Sequence, residues 1–256
     1  MKKVFRSSAF QSSFRKVSLV RALSKLGYCS RSRAEELIAA GRVRVNGRGE
    51  VDGARRVDPA LDRIEVDGQM VVSSKKVYLL LNKPRGLVTT VQDERGRKTV
   101  YECLKGIELP WVGPVGRLDK ASEGLLLFTN DTSWAAKVMN PKTHLEKTYH
   151  VQLDCLADDT FLRRMTEGVD TKEGDLLQVR KARLLRKGKK NCWLEVVLEE
   201  GKNRHLRRLL SALGANVLRL VRVAIGSVQL GDLPKGKVRP LTQEERVSLI
   251  KAGEKG

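Results

Sequence analysis

The run Leu125-Leu126-Leu127-Phe128 constrains this chain more than any other stretch. Four consecutive large apolar side chains are too few for a helix, and they lie between Gly124 and the turn-forming pair Asn130–Asp131. Such a run reads as a strand buried on both faces. Just ahead, a segment with Gly113, Pro114 and Gly116 carries Arg117, Asp119 and Lys120. An acid is thereby held on a loop against a core strand, with cations one and two residues away. A carboxylate so placed stays ionised in a partly dry site, because neighbouring cationic charge offsets its desolvation. The same pattern also suits a surface loop with ordinary ion pairs, and pattern alone leaves both open.

The chain has 256 residues, enough for one large core and a small satellite domain. Its hydrophobic share of 41% makes it globular and not a disordered polycation. Fifty Lys and Arg against thirty Asp and Glu leave a formal charge of +20, an excess best explained by a polyanionic partner. No apolar run reaches the ~18 residues of a membrane span, and no basic amphipathic helix with aromatic anchors points to a membrane surface. Nucleic acid is the expected partner. Cys29, Cys103, Cys155 and Cys192 are scattered without metal-ligand spacing, and His144 and His150 are isolated. No metal is expected, and reduced thiols fit a cytosolic compartment.

Residues 1–17 carry five cations among four serines, with no acid before Glu35, and read as a disordered basic tail. A short organellar transit peptide is the alternative to a cytoplasmic location. Residues 18–74 read as a compact unit. Leu19, Val20, Leu23 and Leu26 fall at helical spacing before Gly27, and Ser32-Arg33-Ala34-Glu35 reads as a capping box opening a second helix. Asn46-Gly47 and Asp67-Gly68 each mark a hairpin. A linker at 73–76 leads to a second domain over 77–252. There, strands are expected at 77–81, 87–91, 125–128, 148–153, 176–185, 192–198 and 217–230. Helices are expected near 99–104, after Asp131, at 203–213 and after the capping box Thr242-Gln243-Glu244-Glu245. The fold class is α+β, with a mixed, mainly antiparallel sheet and a small N-terminal α+β domain.

The words of the central stretch narrow this further. Gly116-Arg117-Leu118-Asp119, Gly124-Leu125-Leu126-Leu127 and Thr129-Asn130-Asp131 together resemble the central motif of ribosomal pseudouridine synthases. The branch it most resembles is the ribosomal small subunit pseudouridine synthase A family, which includes large subunit synthases B and F. That resemblance implies that Asp119 is the catalytic nucleophile. Ala121 and Ser122 stand where many members have an acidic residue or Asn, then Thr, so Ser122 keeps the hydroxyl. Lys83-Pro84-x-Gly86 resembles the family's first motif, and His144-Leu145-Glu146-Lys147-Thr148-Tyr149 its second segment, whose tyrosine packs on the flipped base. That role falls on Tyr149, which composition alone would read as a core aromatic.

The stretch Glu199 to Arg208 resembles a further motif, which puts an aspartate-pairing arginine at Arg207. At about 100° per residue, Leu206, Leu209, Leu210 and Leu213 form one apolar stripe with Arg207 on its flank. Arg204 and Arg208 fall opposite, suited to solvent or RNA phosphate. His205, where relatives often have Gln, reads as an RNA contact or a residue behind one. Lys202, Arg117 and Lys83 complete the expected RNA contacts. Two helices with a basic side before Gly41-Arg42-Val43-Arg44-Val45-Asn46-Gly47 resemble the S-four RNA-binding domain. Arg21, Lys25, Arg31, Arg33, Arg42 and Arg44 would then face the RNA backbone, unless they merely solvate a helix face.

The resemblance implies isomerisation of one uridine in ribosomal RNA, with the large subunit favoured, on free RNA or a ribosomal subunit precursor. No cofactor is expected, because the glycosidic bond is broken and rejoined at C5 without net redox change or energy input. The active species is expected to be a monomer. A non-catalytic RNA-binding or assembly protein keeping the fold is the rival, against which intact Asp119, Tyr149 and Arg207 argue.

Overall fold

The computed structural model describes residues 16–171, 173–199 and 204–251. The chain divides into two compact units with the boundary between Lys75 and Lys76. Nearly all of the basic tail lies outside the described residues, as does Lys202. Val17, assigned to that tail, is instead a buried strand residue opposite Val57. Among the described residues no helix is long and apolar enough to cross a membrane.

The first unit runs β1 (Val17–Ser18), α1 (Leu19–Lys25), α2 (Arg31–Ala39), β2 (Val43–Val45), β3 (Arg48–Glu50), β4 (Arg56–Val57), β5 (Ile64–Val66) and β6 (Gln69–Met70). Strands β3-β2-β5-β6 form a sheet, and Leu23, Ile38, Val43, Val57 and Ile64 share one core. Asn46 and Gly47 have φ of 53° and 79°, and Asp67 and Gly68 have 51° and 78°. Positive φ at both central residues is what a two-residue hairpin turn needs, so the turn residues set the register. The second helix starts earlier than the sequence suggested. Ser30, in extended conformation, accepts from the Arg33 N–H at 3.1 Å, while Ser32 lies inside the first turn. Glu35 is then displaced from the position at which it would reach back, so no capping box forms.

Two of the six cations assigned to RNA in this unit already hold acids. Arg33 pairs with Glu36 at 2.7 Å, and Arg42 grips Asp67 through two bonds of 2.8 and 2.5 Å. Arg21, Lys25, Arg31 and Arg44 are exposed.

The second unit runs β7 (Tyr78–Lys83), β8 (Gly113–Val115), β9 (Glu123–Thr129), α3 (Thr132–Met139), β10 (Lys147–Leu153), α4 (Asp159–Glu167), β11 (Val169–Asp170), β12 (Leu176–Leu177) and β13 (Lys181–Lys187). It continues with β14 (Cys192–Leu198), α5 (His205–Ala212), β15 (Val217–Ile225), β16 (Val228–Gln229), β17 (Val238–Pro240) and α6 (Gln243–Lys251). Its main sheet has the order β13-β14-β10-β15-β9-β7-β17, with β16 on β15 and β8 on β9. The fold is α+β with a mixed, mainly antiparallel sheet, as the sequence implied. All seven residues of β9 are buried. Leu125 and Leu127 face a core with Trp134, Val138 and Leu145, while Leu126 and Phe128 face another with Leu81, Val100 and Leu104. The two-residue period of a strand thus fills both sides. At α6 the box closes as read: Glu245 N–H donates to Thr242 Oγ1 at 3.2 Å and Thr242 N–H to Glu245 Oε2 at 2.9 Å.

Two expectations fail locally, and one helix has no counterpart among them. No strand spans 87–91, where only Val88 bridges Thr99 and the Thr89 hydroxyl donates to the Leu118 carbonyl. The strand at 176–185 breaks in two, because the Val179 N–H turns to the Met165 carbonyl. Helix α4 was not read at all, although Asp158 caps it by accepting from Phe161 N–H at 2.7 Å.

The parallel pairing of β9 with β15 joins the motif strand to the far half of the sheet through Glu123–Val221 and Gly124–Arg222. Gly124 has φ +100°, and a Cβ there would stand 2.2 Å from the Arg222 carbonyl oxygen. Only glycine allows this approach. Gly124→Ala is expected to cost about 3 kcal/mol or more, lowering the melting midpoint by at least about 6 °C. An unchanged midpoint in a thermal melt would show that the strands can separate there without cost.

Candidate active site

Between β8 and β9 the chain crosses a loop whose carbonyls, from Leu118 to Ser122, all accept a hydrogen bond. Thr89 Oγ1 donates to Leu118 O at 2.7 Å, Gly86 N–H to Lys120 O at 2.7 Å, and Arg207 Nη2 to Ala121 O at 3.2 Å. Lys83 Nζ donates to Asp119 O at 3.2 Å and Ser122 O at 2.8 Å, with a third bond of 3.1 Å to Pro84 O. The Ser122 N–H also donates to Asp119 O at 3.0 Å. With its main chain held at five successive residues, the loop fixes the direction in which the Asp119 side chain leaves it.

That side chain stands where two cavities meet. One, of about 890 Å³, is lined by Val115, Leu145, Tyr149, Leu206, Leu220 and Ile225, with Lys147, Arg207 and Arg222 among its polar members. The other, of about 510 Å³, is lined by Thr89, Asp93, Arg95 and Arg97. Arg117, Leu118, Asp119 and Arg204 line both. The Asp119 side chain is 35% exposed, and Arg204 Nη1 lies 3.9 Å from its Oδ2. Arg204 itself adopts φ 50° at the start of α5, a left-handed conformation costly for a residue with a Cβ. Tyr149 enters from β10, paired with Val196 on one side and Arg222 on the other.

The sequence placed Arg207 opposite Asp119, and the structure moves that contact to Arg204. Arg207 stays near enough to feel the Asp119 charge, which raises its pKa, but burial and then Arg204 lower it further. Its Nη2 is turned to the Ala121 carbonyl, so it supports the loop rather than the carboxylate. Lys83 is no RNA contact: it is 0% exposed, and its donors go to the main chain. Burial pushes the Lys83 ammonium down to about 8, opposed by the Asp119 charge. His205 is buried and donates through Nε2 to the Gln178 carbonyl at 2.9 Å, out of reach of a surface phosphate. Arg208 ion-pairs with Glu173 at 3.4 Å and with Asp175, which tie it to the β11–β12 hairpin. The burial of His205 removes a direct phosphate contact and leaves the reading of a residue behind one. The corrections at Arg207 and Arg208 have one cause. A helical wheel gives the direction of a side chain but not which loop has folded against it.

The sequence assigned no role to three groups of this site. Ser122 is buried and supplies a carbonyl to Lys83. Lys147 Nζ donates to the Glu199 carbonyl at 3.0 Å, and burial, then the Arg222 charge, lowers its pKa. Arg222 is 6% exposed and donates from Nε to the Leu125 carbonyl at 2.7 Å. Its signal was present: Leu220, Arg222 and Ala224 alternate, placing a guanidinium on the inward face of a strand. Beside it, buried Glu123 binds Arg219 through two 3.0 Å bonds and Lys235 at 2.5 Å. Burial pushes the Glu123 carboxyl up, but these two cations outweigh it and hold it below its usual range. Among the described residues, no group of three or more His, Cys, Asp or Glu is placed to hold a metal ion.

Comparison with known proteins adds to this geometry. Residues 77–212 match the RNA pseudouridylate synthase family, and residues 17–59 match the S4 domain. The chain is 40% identical over 237 residues to an uncharacterized RNA pseudouridine synthase of Aquifex aeolicus, covering 92% of this chain and 94% of that one. It is 38% identical over 229 residues to ribosomal large subunit pseudouridine synthase B of Bacillus subtilis, covering 89% and 93%. Among solved structures, a pseudouridylate synthase superposes with a TM-score of 0.64 at 28% identity, over 91% of this chain and 99% of that one.

Lys83 gives a pH signature. Its pKa falls from 10.5 unfolded to about 8 folded, so between those values the folded protein binds fewer protons than the unfolded chain. Stability must therefore rise with pH across that window. The stability difference between native protein and Lys83→Met, followed by urea unfolding, is expected to shift in favour of the native by up to about 3 kcal/mol from pH 8 to 10.5. Parallel curves would mean that Lys83 titrates as it does in water.

Proposed function

The chain belongs to the RNA pseudouridylate synthase family, and we propose that it isomerises a uridine of large-subunit ribosomal RNA with Asp119 as the nucleophile. The observation that carries this is the Asp119 carboxylate, held on a pinned loop at the wall of an apolar cavity that also receives Tyr149. The large-subunit assignment is supported by the Bacillus subtilis relative, whose name specifies that subunit. The active species is proposed to be a monomer.

A target uridine leaves its stack, at a cost of a few kcal/mol, and enters the 890 Å³ cavity. Tyr149 packs on the uracil. Asp119 attacks C1′ of the ribose, and the electron pair of the C1′–N1 bond departs to N1. The base turns so that C5 faces C1′. A C5–C1′ bond then forms as the Asp119–C1′ pair returns to the carboxylate. C5 loses its proton and N1 gains one, so atoms and charge balance. Arg204, 3.9 Å away, sets a positive charge beside the carboxylate without clamping it as a two-bond grip would. Arg117, exposed at the edge of both cavities, fits a role in holding or displacing RNA. The first unit supplies affinity through its exposed Arg21, Lys25, Arg31 and Arg44.

Asp119→Asn keeps the shape but removes the nucleophile's charge. With RNA tritiated at uracil C5, label is released only when C5 becomes the glycosidic carbon. The native protein is expected to release it from large-subunit rRNA, free or in a precursor particle. The variant should release none above background yet bind within several-fold, because phosphate contacts dominate affinity. Release by the variant at the native rate would exclude Asp119, and no release by the native protein would favour a binding module.

The N-terminal contribution is separable. Replacing Arg21, Arg31 and Arg44 together by Ala should flatten the slope of log affinity against log salt by about 2. An unchanged slope would remove this face from the RNA interface.

A further inference from the structure

Among the described residues no carboxylate is in contact with Arg222, a buried cation, 6% exposed, in the wall of the cavity beside Asp119. Its Nε is satisfied by the Leu125 carbonyl, but Nη2 is buried without a hydrogen-bond partner. Removing a guanidinium from water without an anion or a full set of acceptors is costly. Two neighbours sharpen the anomaly. Lys147, lining the same cavity, is close enough for the two positive charges to repel, and its ammonium also bonds a main-chain carbonyl. Arg219, three residues earlier on the same strand, has its acid in Glu123. The strand thus compensates one arginine and leaves the inward one open.

The cavity restricts what can complete it. Val115, Leu145, Leu206, Leu220 and Ile225 give it apolar walls, with Tyr149 among them. Such walls suit a flat ring, whereas a phosphate keeps its water and is better met by the exposed cations Arg117, Lys142 and Arg204. A flat ring with negative charge on its edge is what the proposed reaction produces. When the C1′–N1 pair moves to N1, the departing uracil carries charge shared by N1, O2 and O4. We propose that the Arg222 guanidinium, seconded by the Lys147 ammonium, holds the carbonyl edge of the detached uracil and stabilises its negative charge until C5 meets C1′. This rests on the uridine isomerisation proposed above and assigns the group that receives its leaving charge. The gain is greatest at bond cleavage, because a preorganised donor in a dry site acts mainly where charge develops.

The test compares native protein and Arg222→Gln in single turnover, with folding checked by thermal melting and conversion read by chromatography of digested nucleosides. Arg222→Gln is expected to slow the maximal rate by about 100-fold or more while changing half-saturation by less than about threefold, since phosphates carry affinity. A role confined to bracing Leu125 would lower the melting point without that split. Substrates whose target carries sulfur in place of O2 or O4 probe the same contact in the native protein, because sulfur is the weaker acceptor. At least one should react about 10-fold slower with native protein and lose that penalty in Arg222→Gln. A folded Arg222→Gln within threefold of the native rate overturns the proposal. If that variant does not fold, native rates on both sulfur substrates equal to the uridine rate overturn it. A native protein that converts no rRNA uridine instead sinks the isomerase reading itself.

Discussion

The five consecutive carbonyls of Leu118 to Ser122, each met by a donor, are the constraint on which this site depends. Lys83 supplies two of those donors from a fully buried ammonium. That arrangement separates two requirements that conflict at a carboxylate proposed as a nucleophile. The group must be aimed, but a tight two-bond ion pair would occupy the oxygens meant for substrate. Here the main chain does the aiming, and the nearest cation among the described residues, Arg204, stays 3.9 Å from the carboxylate. Arg207, Thr89 and Gly86 act the same way, through the loop and not through the side chain.

The loop can be rigid because it leads directly into the most deeply buried strand of the sheet. Strand β9 is buried over its whole length and packs a separate core on each face, and each fully buried Leu or Phe contributes about 1.5–3 kcal/mol. Such a strand can carry the unfavourable burial of Lys83 at one end and Arg222 beside it. Gly124 lets β15 lie against β9 closely enough to bring Arg222 to the cavity. One glycine thereby links the motif strand to the cation that faces it.

How much was legible in the sequence depends on the range of the interactions involved. Strand β9, the Asn46-Gly47 and Asp67-Gly68 turns and the Thr242–Glu245 box are local, and the structure has each of them. Asp119 was legible as the acid of a Gly/Pro-rich loop ahead of a core strand, and that is where it stands. Partners distant in sequence were not legible. Lys83 lies 36 residues from Asp119, and nothing local distinguishes a lysine that braces a loop from one that meets phosphate. Arg207 and Arg208 take their places from a helical wheel, which cannot show the Ala121 carbonyl or the β11–β12 hairpin folding against them. Arg222 stands among apolar neighbours on β15, so the strand pattern announces a core, and only its alternation with Leu220 and Ala224 marks the guanidinium as inward.

The most direct measurement is a structure of the protein bound to an rRNA fragment whose target nucleotide cannot complete the reaction. One quantity matters, the separation between an Asp119 carboxylate oxygen and C1′ of the flipped nucleotide. Reacting atoms held for attack lie about 3–3.5 Å apart, and that separation is expected here, with the uracil against Tyr149. A bound RNA whose target sugar lies well beyond that reach, or whose base stays outside the cavity, would contradict the role given to Asp119.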